Sequence, residues 1–386
     1  MRKFYTAEAV TEGHPDKLCD QIADAILDVC LKQDEQSRVA CEVLATKGTI
    51  IVAGEITSTY EPDVFAVVRK VLSDVGYSSE GIAMDTFVHR QSPDIAGAVD
   101  TSKERREGVS DNQIDWFQGA GDQGVMIGYA CDETKQLMPM PVVLANRIVR
   151  ELSACRQSSY IQGILPDGKA QVTVEYENGK PVRLDSVVVS CQHTKEKDLK
   201  KLEAEIRKKV LLPALRPLPP DEETKIYINP SGRFVCGGLD ADTGLTGRKL
   251  MVDSYGSMVP HGGGAFSGKD CSKVDRSAAY MARYIAKNIV AAGLASKCQV
   301  SLAYAIGVAQ PVMVQVDTFG TGNVCADDCL ELAIPLVFGL TPKQIVDTLR
   351  LTRPIFRQTA AFGHFGRKEF PWERTDKVEA LRNAVI

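Results

Sequence analysis

No stretch of this 386-residue chain approaches the about 18 consecutive apolar residues that a membrane-spanning helix needs, so no membrane partner is expected. A basic surplus is missing as well: 46 Lys and Arg stand against 50 Asp and Glu, for a formal net charge of −4. Without a basic stripe there is little to hold a nucleic-acid backbone, and nucleic acid is not expected as a partner. Cysteines in metal-binding or disulfide spacing are absent too. The eleven that occur are scattered singly, none forms C-x-x-C, and the count is odd, which argues against a disulfide framework and a zinc site. Met1-Arg2-Lys3 is followed by Phe4-Tyr5-Thr6-Ala7-Glu8 rather than by the apolar core of a secretory leader. Together these absences lead us to expect a soluble protein of the reducing cytoplasm.

What is present is an ordinary globular composition, 44% hydrophobic and 25% charged, in a chain long enough for two or three domains. Periodicity adds a layout. A helix over residues 16–31 carries Leu18, Ile22, Ile26 and Val29, alternating runs at 39–45 and 50–56 read as a hairpin, and a helix follows over 62–75. Helix, hairpin and helix return with 142–155, with strands 171–176 and 182–189 flanking Asn178-Gly179, and with Leu199, Leu202, Ile206 and Val210. They return again with 274–290, strands 300–308 and 312–316, and a helix capped by Thr341-Pro342 that runs through Ile345 and Leu349. Such units, roughly 125–135 residues apart, are about one small domain each. The fold class is therefore read as α+β, three similar α/β domains around a pseudo-threefold axis. Boundaries in 97–112 and in the Pro-rich 213–223 give domains 1–100, 113–230 and 231–386.

The most informative motif is Gly262-Gly263-Gly264-Ala265-Phe266-Ser267-Gly268-Lys269-Asp270, a glycine-rich turn that ends in lysine ahead of a helix. Glycines let backbone N–H groups approach an anion, a helix N-terminus adds partial positive charge, and Lys269 and Lys273 reach the same place. Ser272 and Asp275 have the spacing of a capping box for that helix. Gly263, Gly268 and Lys269 satisfy G-x-x-x-x-G-K, but Asp270 stands where a P-loop has its Mg²⁺-binding hydroxyl, and no buried strand leads in. A structural glycine turn and a phosphate site of another kind remain. Gly119-Ala120-Gly121-Asp122-Gln123-Gly124 spells the dinucleotide fingerprint, yet the strand-like Val125 to Ala130 follows it where a helix is required. It reads as a turn or as a close backbone approach to a ligand.

Two further constellations carry charge. Thr11-Glu12-Gly13-His14-Pro15-Asp16-Lys17 opens the first helix, either as a cap or as a place where His14 meets a phosphate and Asp16 a Mg²⁺. In the first hairpin, a two-residue turn at Lys47-Gly48 pairs Ala45 with Ile50, Glu42 with Ala53 and Ala40 with Glu55. Glu42 and Glu55 then share a face with Ala40, Leu44, Ile51 and Ala53. Carboxylates in that apolar setting are costly unless each meets a cation, so a cationic ligand or metal is one reading and a solvated sheet surface the other. Arg233-Phe234, Asp242 and Arg248-Lys249 lie in a glycine-rich segment that would suit a purine and its triphosphate.

Taken together and in this order, Gly13 to Lys17, Gly119 to Gly124, Gly262 to Asp270 and Ser272-Lys273-Val274-Asp275-Arg276-Ser277 resemble the S-adenosylmethionine synthetases, from Phe4 to about Glu373. The resemblance implies sulfur attack of L-methionine on the ATP 5′ carbon, giving S-adenosyl-L-methionine and a triphosphate that is hydrolysed to phosphate and diphosphate. It implies two Mg²⁺ per site, K⁺, and a homodimer with shared active sites that pairs again into a tetramer. Residue by residue, it assigns His14 to the triphosphate near the 5′ carbon, Asp16 and Asp275 to Mg²⁺, and Glu42 to K⁺. Glu55 would take the methionine ammonium and Gln91 its carboxylate, with Asp122, Asp242 and Lys273 also on the methionine side. Asp167, Lys169, Arg233, Phe234, Asp242 and Ala265 would line the nucleotide, and Arg248, Lys249, Lys269 and Lys273 would hold the polyphosphate. His14, Lys169, Arg248 and Lys269 would be the catalytic set.

The sequence departs from the family at Cys271, where members usually have Pro, at Thr243, where many bacterial members have Cys, and in residues 101–112. The charged, apolar-poor segment 97–112 is expected to be a mobile lid. A P-loop phosphotransferase and a non-catalytic nucleotide-binding regulator are the rival readings.

Overall fold

A computed structural model describes residues 2–92, 97, 101–109 and 118–385. Strand β1 (Arg2–Val10) leads to helix α1 (Pro15–Gln33), where Pro15 supplies a preset φ at the first helical position and His14 is the N-cap. The hairpin β2 (Arg38–Thr46) and β3 (Thr49–Thr57) follows in the register that its tight turn demands, with Glu42 opposite Ala53 and Ala40 opposite Glu55. Val39, Cys41, Val43, Ala45, Ile50 and Val52 form its buried face, packed under Leu18, Ile22 and Ile26 of α1 and under α2 (Val64–Val75). β4 (Ala83–His89) joins β3 in parallel.

The second unit has helix α3 (Met140–Gln157) packed on the hairpin β6 (Ile164–Glu177) and β7 (Lys180–His193), turned by Asn178 and Gly179 at φ 51° and 80°. Both strands are longer than the alternation indicates. Pro166 and Gly168 break the pattern in β6, and the pairing passes this region through a register shift between Ile164 and Gly168. β8 (Lys225–Ile228) pairs with β7. In the third unit helix α4 (Val274–Ala291) lies across β5 (Gly124–Cys131) and β10 (Lys297–Tyr304), with β11 (Met313–Asp317) at the edge. Thr341 caps the helix Pro342–Leu349 as expected, and Gln344 completes a capping box with it. The capping box at Ser272 and Asp275 does not form: α4 starts from Lys273 with no side-chain cap, because Asp275 is held by Lys269 and the Ser272 N–H donates to Asp270.

Each sheet borrows a strand from another third of the chain. β1 completes the sheet of β6, β7 and β8; β5 completes that of β10 and β11; and β9 (Gly244–Leu245) completes that of β2, β3 and β4. The same exchange three times over is the topological form of a threefold plan. It also carries the segment around Gly244 to the N-terminus of α1. Among the described residues, no single helix is long and apolar enough to cross a membrane. Of the expected lid, residues 98–100 and 110–112 lie outside the described residues. The turn Lys103–Arg106 is docked on the third unit, through the Lys103 N–H to Gly307 and through the Glu104 carboxylate, which accepts from Ala309 and Gln310.

Helix α4 is buried along nearly its whole length, and its cations are compensated inside the protein. Arg283 makes two bonds to Glu373, at 3.0 and 2.8 Å, and donates to the carbonyls of Tyr129, Gln136 and Leu137, while Lys287 adds a third cationic bond to Glu373 at 2.7 Å. Replacing Arg283 by Met strands three carbonyls and leaves Glu373 with one cation. Denaturant titration should therefore show a loss of ~3–5 kcal/mol, and a loss below ~1 kcal/mol would mean that water or a neighbour replaces the guanidinium freely.

Candidate active site

Three chain segments converge on the N-terminus of α1. His14, only 2% exposed, accepts the Asp16 N–H through Nδ1, which leaves the ring proton on Nε2 as a donor into the site. Burial lowers its pKa to about 4, and Lys249 and Lys169 press in the same direction, with Asp16 and Asp242 opposing. The imidazole is thus neutral near pH 7, and it stands among four charged groups of the predicted set. Burial works against the charge of Asp16, yet Lys249 and the Leu245 N–H outweigh it and hold the carboxyl below its usual range. Lys249 Nζ sits on Asp16 Oδ2, with Arg248 Nε 3.7 Å from the other oxygen.

The glycine-rich loop lies beside this group, strung along β2 by an Ala40–Lys269 bridge and by the Cys41 N–H to Gly268. Two of its amides are engaged within the chain: the Gly268 N–H donates to Asp24 and the Gly263 N–H to His261. The loop also contributes side-chain cations. Lys269 Nζ lies 2.5 Å from Asp275, and Lys273 Nζ lies 2.5 Å from Asp270. Ala265 faces the Gly247 backbone, so a side chain at Gly247 would meet its Cβ.

Glu42 and Glu55 share the outward face of the first sheet, opposite α1, as the register requires. Desolvation raises the Glu42 pKa, Lys269 counters it, and Glu55 adds to it, so the pair and the loop lysine form one electrostatic unit. Glu55 lies 3.2 Å from His89. Asp167, 7% exposed at the start of β6, accepts the Gly238 N–H through Oδ2, while Oδ1 is buried with no hydrogen-bond partner. Burial pushes its carboxyl up against the pull of Gly238 and Lys169. Lys169 follows two residues on, exposed, and Phe234 is held by reciprocal bonds to His193.

Three other assigned residues remain. The Gln91 N–H bonds Thr57 at the end of β4, Asp122 is exposed with its carboxylate on the Gln123 N–H, and Arg233 is exposed. The segment of Asp122 lies beside the loop, since the Gly121 N–H donates to the Ser272 carbonyl and a Cβ on Gly124 would lie 3.7 Å from Asp275. The residues that sequence reasoning passed over lie beneath the site: Lys17, Asp20, Asp24, Asp253 and Arg276, all buried. Their signal was present, since Asp16, Asp20, Asp24 and Asp28 recur every fourth residue along α1.

With this geometry in view, three family models match the chain in order: S-adenosylmethionine synthetase, N-terminal domain, over residues 2–99; the central domain over 117–234; and the C-terminal domain over 236–374. The chain belongs to the S-adenosylmethionine synthetase family. It is a methionine adenosyltransferase, which makes S-adenosylmethionine from ATP and L-methionine. His14 is a helix cap, and whether its imidazole also serves turnover separates from the cap by mutation. His14→Asn keeps an acceptor for the Asp16 N–H and should retain the thermal stability that His14→Ala loses, ~1 kcal/mol. S-Adenosylmethionine formation should fall ~10²-fold in both. Unaltered turnover in His14→Asn would show the imidazole to be a cap and nothing more.

Proposed function

We propose that the cation cluster at the start of α1 is the triphosphate end of the active site, and that catalysis there is electrostatic. The observation that carries this reading is the pairing of Lys249 with Asp16 and of Lys269 with Asp275, with Arg248 alongside. Methionine sulfur attacks C5′ of ATP, the C5′–O5′ bond breaks, and the electron pair leaves with the triphosphate. A thioether needs no general base. The chain's task is to stabilise the leaving charge in place, through Lys169, Arg248, Lys249, Lys269 and the His14 Nε2–H, with Lys273 alongside. Each such donor is worth about 2.7–4 kcal/mol in the barrier. Water then cleaves the triphosphate to phosphate and diphosphate among the same cations. The orphaned Oδ1 of Asp167 supports a nucleotide donor nearby, with Phe234 as the adenine platform and Asp242 between the substrates.

Asp16 and Asp275 would hold two Mg²⁺. Among the described residues, no three His, Cys, Asp or Glu side chains gather into a cage. Two single carboxylates nevertheless suit Mg²⁺, which takes one or two of them and completes its shell with phosphate oxygens and water. Held there, the metal would neutralise charge on the leaving group. Lys249 and Lys269, the present partners of these carboxylates, would then turn to the phosphates. Glu42 would hold K⁺ and Glu55 the methionine ammonium, and Gln91, Asp122 and Lys273 would complete the methionine pocket.

The uncovered face that bears Glu42, Glu55 and a 37% exposed Leu44 supports a homodimer with shared sites, paired again into a tetramer. Eleven free cysteines support a reducing cytoplasm.

The test is phosphate release from ATP with and without methionine, with the sulfonium product identified by mass. Release that requires methionine is expected, and methionine-independent transfer would favour a phosphotransferase instead. A second measurement addresses the hairpin. Glu55→Gln should chiefly raise the KM for methionine and Glu42→Gln should chiefly weaken activation by K⁺. Wild-type dependence on both in both variants would make this face a plain sheet surface.

A further inference from the structure

Asp16, Asp20, Asp24 and Asp28 lie on one face of α1, and like charges at that spacing repel unless each is answered. They are answered by backbone amides of the C-terminal third. The Leu245 N–H donates to Asp16 at 3.0 Å, Gly247 to Asp20 at 2.9 Å, Gly268 to Asp24 at 2.8 Å, and Phe356 and Arg357 to Asp28 at 2.9 Å each. Buried cations add to the middle two: Lys17 to Asp20 at 2.9 Å, and Arg276 to Asp24 through two bonds at 2.6 and 2.8 Å. Asp20, Asp24 and Asp28 are filled from within the chain and are not a cation site.

Two of these anchors share an anatomy. Gly247 and Gly268 sit at φ 78° and 81°, each gives its N–H to an α1 aspartate, and each is followed at once by a cation of the site, Arg248 and Lys269. A Cβ on Gly268 would lie 1.9 Å from the Cys41 carbonyl oxygen, and one on Gly247 would lie 2.6 Å from the Ala265 Cβ. Arg276, besides pairing with Asp24, donates to the Lys269 carbonyl. The direction in which the chain leaves each glycine, and so the point from which each cation reaches out, is fixed against α1.

We infer that Asp20 and Asp24 are positioning residues, whose carboxylates set the backbone from which Arg248 and Lys269 meet the triphosphate. This rests on the reading of the site given above. A long, flexible cation stabilises a leaving group only if its root is held, and a displacement of about 1 Å can cost ~10²-fold in rate.

Asp20 is the one to change, because Lys17 keeps Asp253 as a partner, whereas loss of Asp24 strips the buried Arg276 of its carboxylate. Asp20→Asn retains an acceptor for the Gly247 N–H; Asp20→Ala does not. With the purified full chain, inorganic triphosphate binding in the presence of Mg²⁺ is read by calorimetry, and kcat and the KM for methionine are read separately. Asp20→Ala should weaken triphosphate binding ~10-fold or more and lower kcat by up to ~10²-fold with the methionine KM unchanged, while Asp20→Asn stays near wild type. Unchanged triphosphate affinity in folded Asp20→Ala overturns the role, as does an Asp20→Asn variant as impaired as the alanine. Should Asp20→Ala fail to fold, Gly247→Ala reads the same anchor from the loop side, and wild-type affinity there overturns it equally. A wild-type protein that binds no triphosphate would overturn the reading of the site itself, and this role with it.

Discussion

A carboxylate sealed from water must find cations or N–H donors, and α1 carries Asp16, Asp20 and Asp24 into the centre of the molecule, almost completely buried. Much of the architecture around the site follows from meeting that demand. Lys17 lies between Asp20 and Asp253, and these two carboxylates outweigh its desolvation and keep it charged. Burial pushes Asp20 up to about 6 against the pull of Lys17. Such clusters are not efficient sources of stability, since well-packed apolar side chains of the same volume often do as well. What they fix is geometry: each bond joins α1 to a segment more than two hundred residues away, and each such segment carries part of the site.

The same balance governs the surface that faces substrate. Lys249, Lys269 and Lys273 are each paired with an aspartate, so the free chain holds a dense group of like charges without mutual repulsion forcing it apart. On the function proposed, a polyphosphate would take over lysines that already have a partner instead of building a charge field from nothing. Lysine suits this exchange better than arginine, because a point charge on a flexible stem can swing between two oxygens where a guanidinium fork would hold one bidentate geometry. Arg276 and Arg283, both fully buried and doubly bonded, serve instead as fixed struts.

What the sequence made legible was local. The Lys47-Gly48 turn dictates the pairing of Glu42 with Ala53, Asn178-Gly179 dictates a hairpin, and Thr341 with Gln344 dictates a cap, because each rule acts over a few residues. The Ser272–Asp275 box failed because a distant competitor was stronger: Lys269 holds the carboxylate that should have reached back. The exchange of β1, β5 and β9 between sheets was not legible, since a strand's pattern says which face is buried but not which neighbour it pairs with. The aspartates of α1 show the same limit. On an isolated helix a polar residue every fourth position reads as a solvated stripe, and distant segments turn that stripe inward: the one at Gly244 to Lys249, brought in by β9, and those at Gly268 and Phe356.

That placement explains why a glycine-rich turn ending in lysine is not a P-loop here. In a P-loop the amides face the phosphate, and the lysine supplements them. Here the amides of Gly247 and Gly268 face backward, onto Asp20 and Asp24, and cannot hold an anion while they hold the helix. The glycines are needed for close approach to Cys41 and Ala265 and for positive φ, a different use of the same residue type. Arg248, Lys249, Lys269 and Lys273 follow these glycines in two short segments. The missing hydroxyl after Lys269 fits the same logic. Asp270 is turned inward, taking the Val39 and Ser272 amides and the Lys273 ammonium.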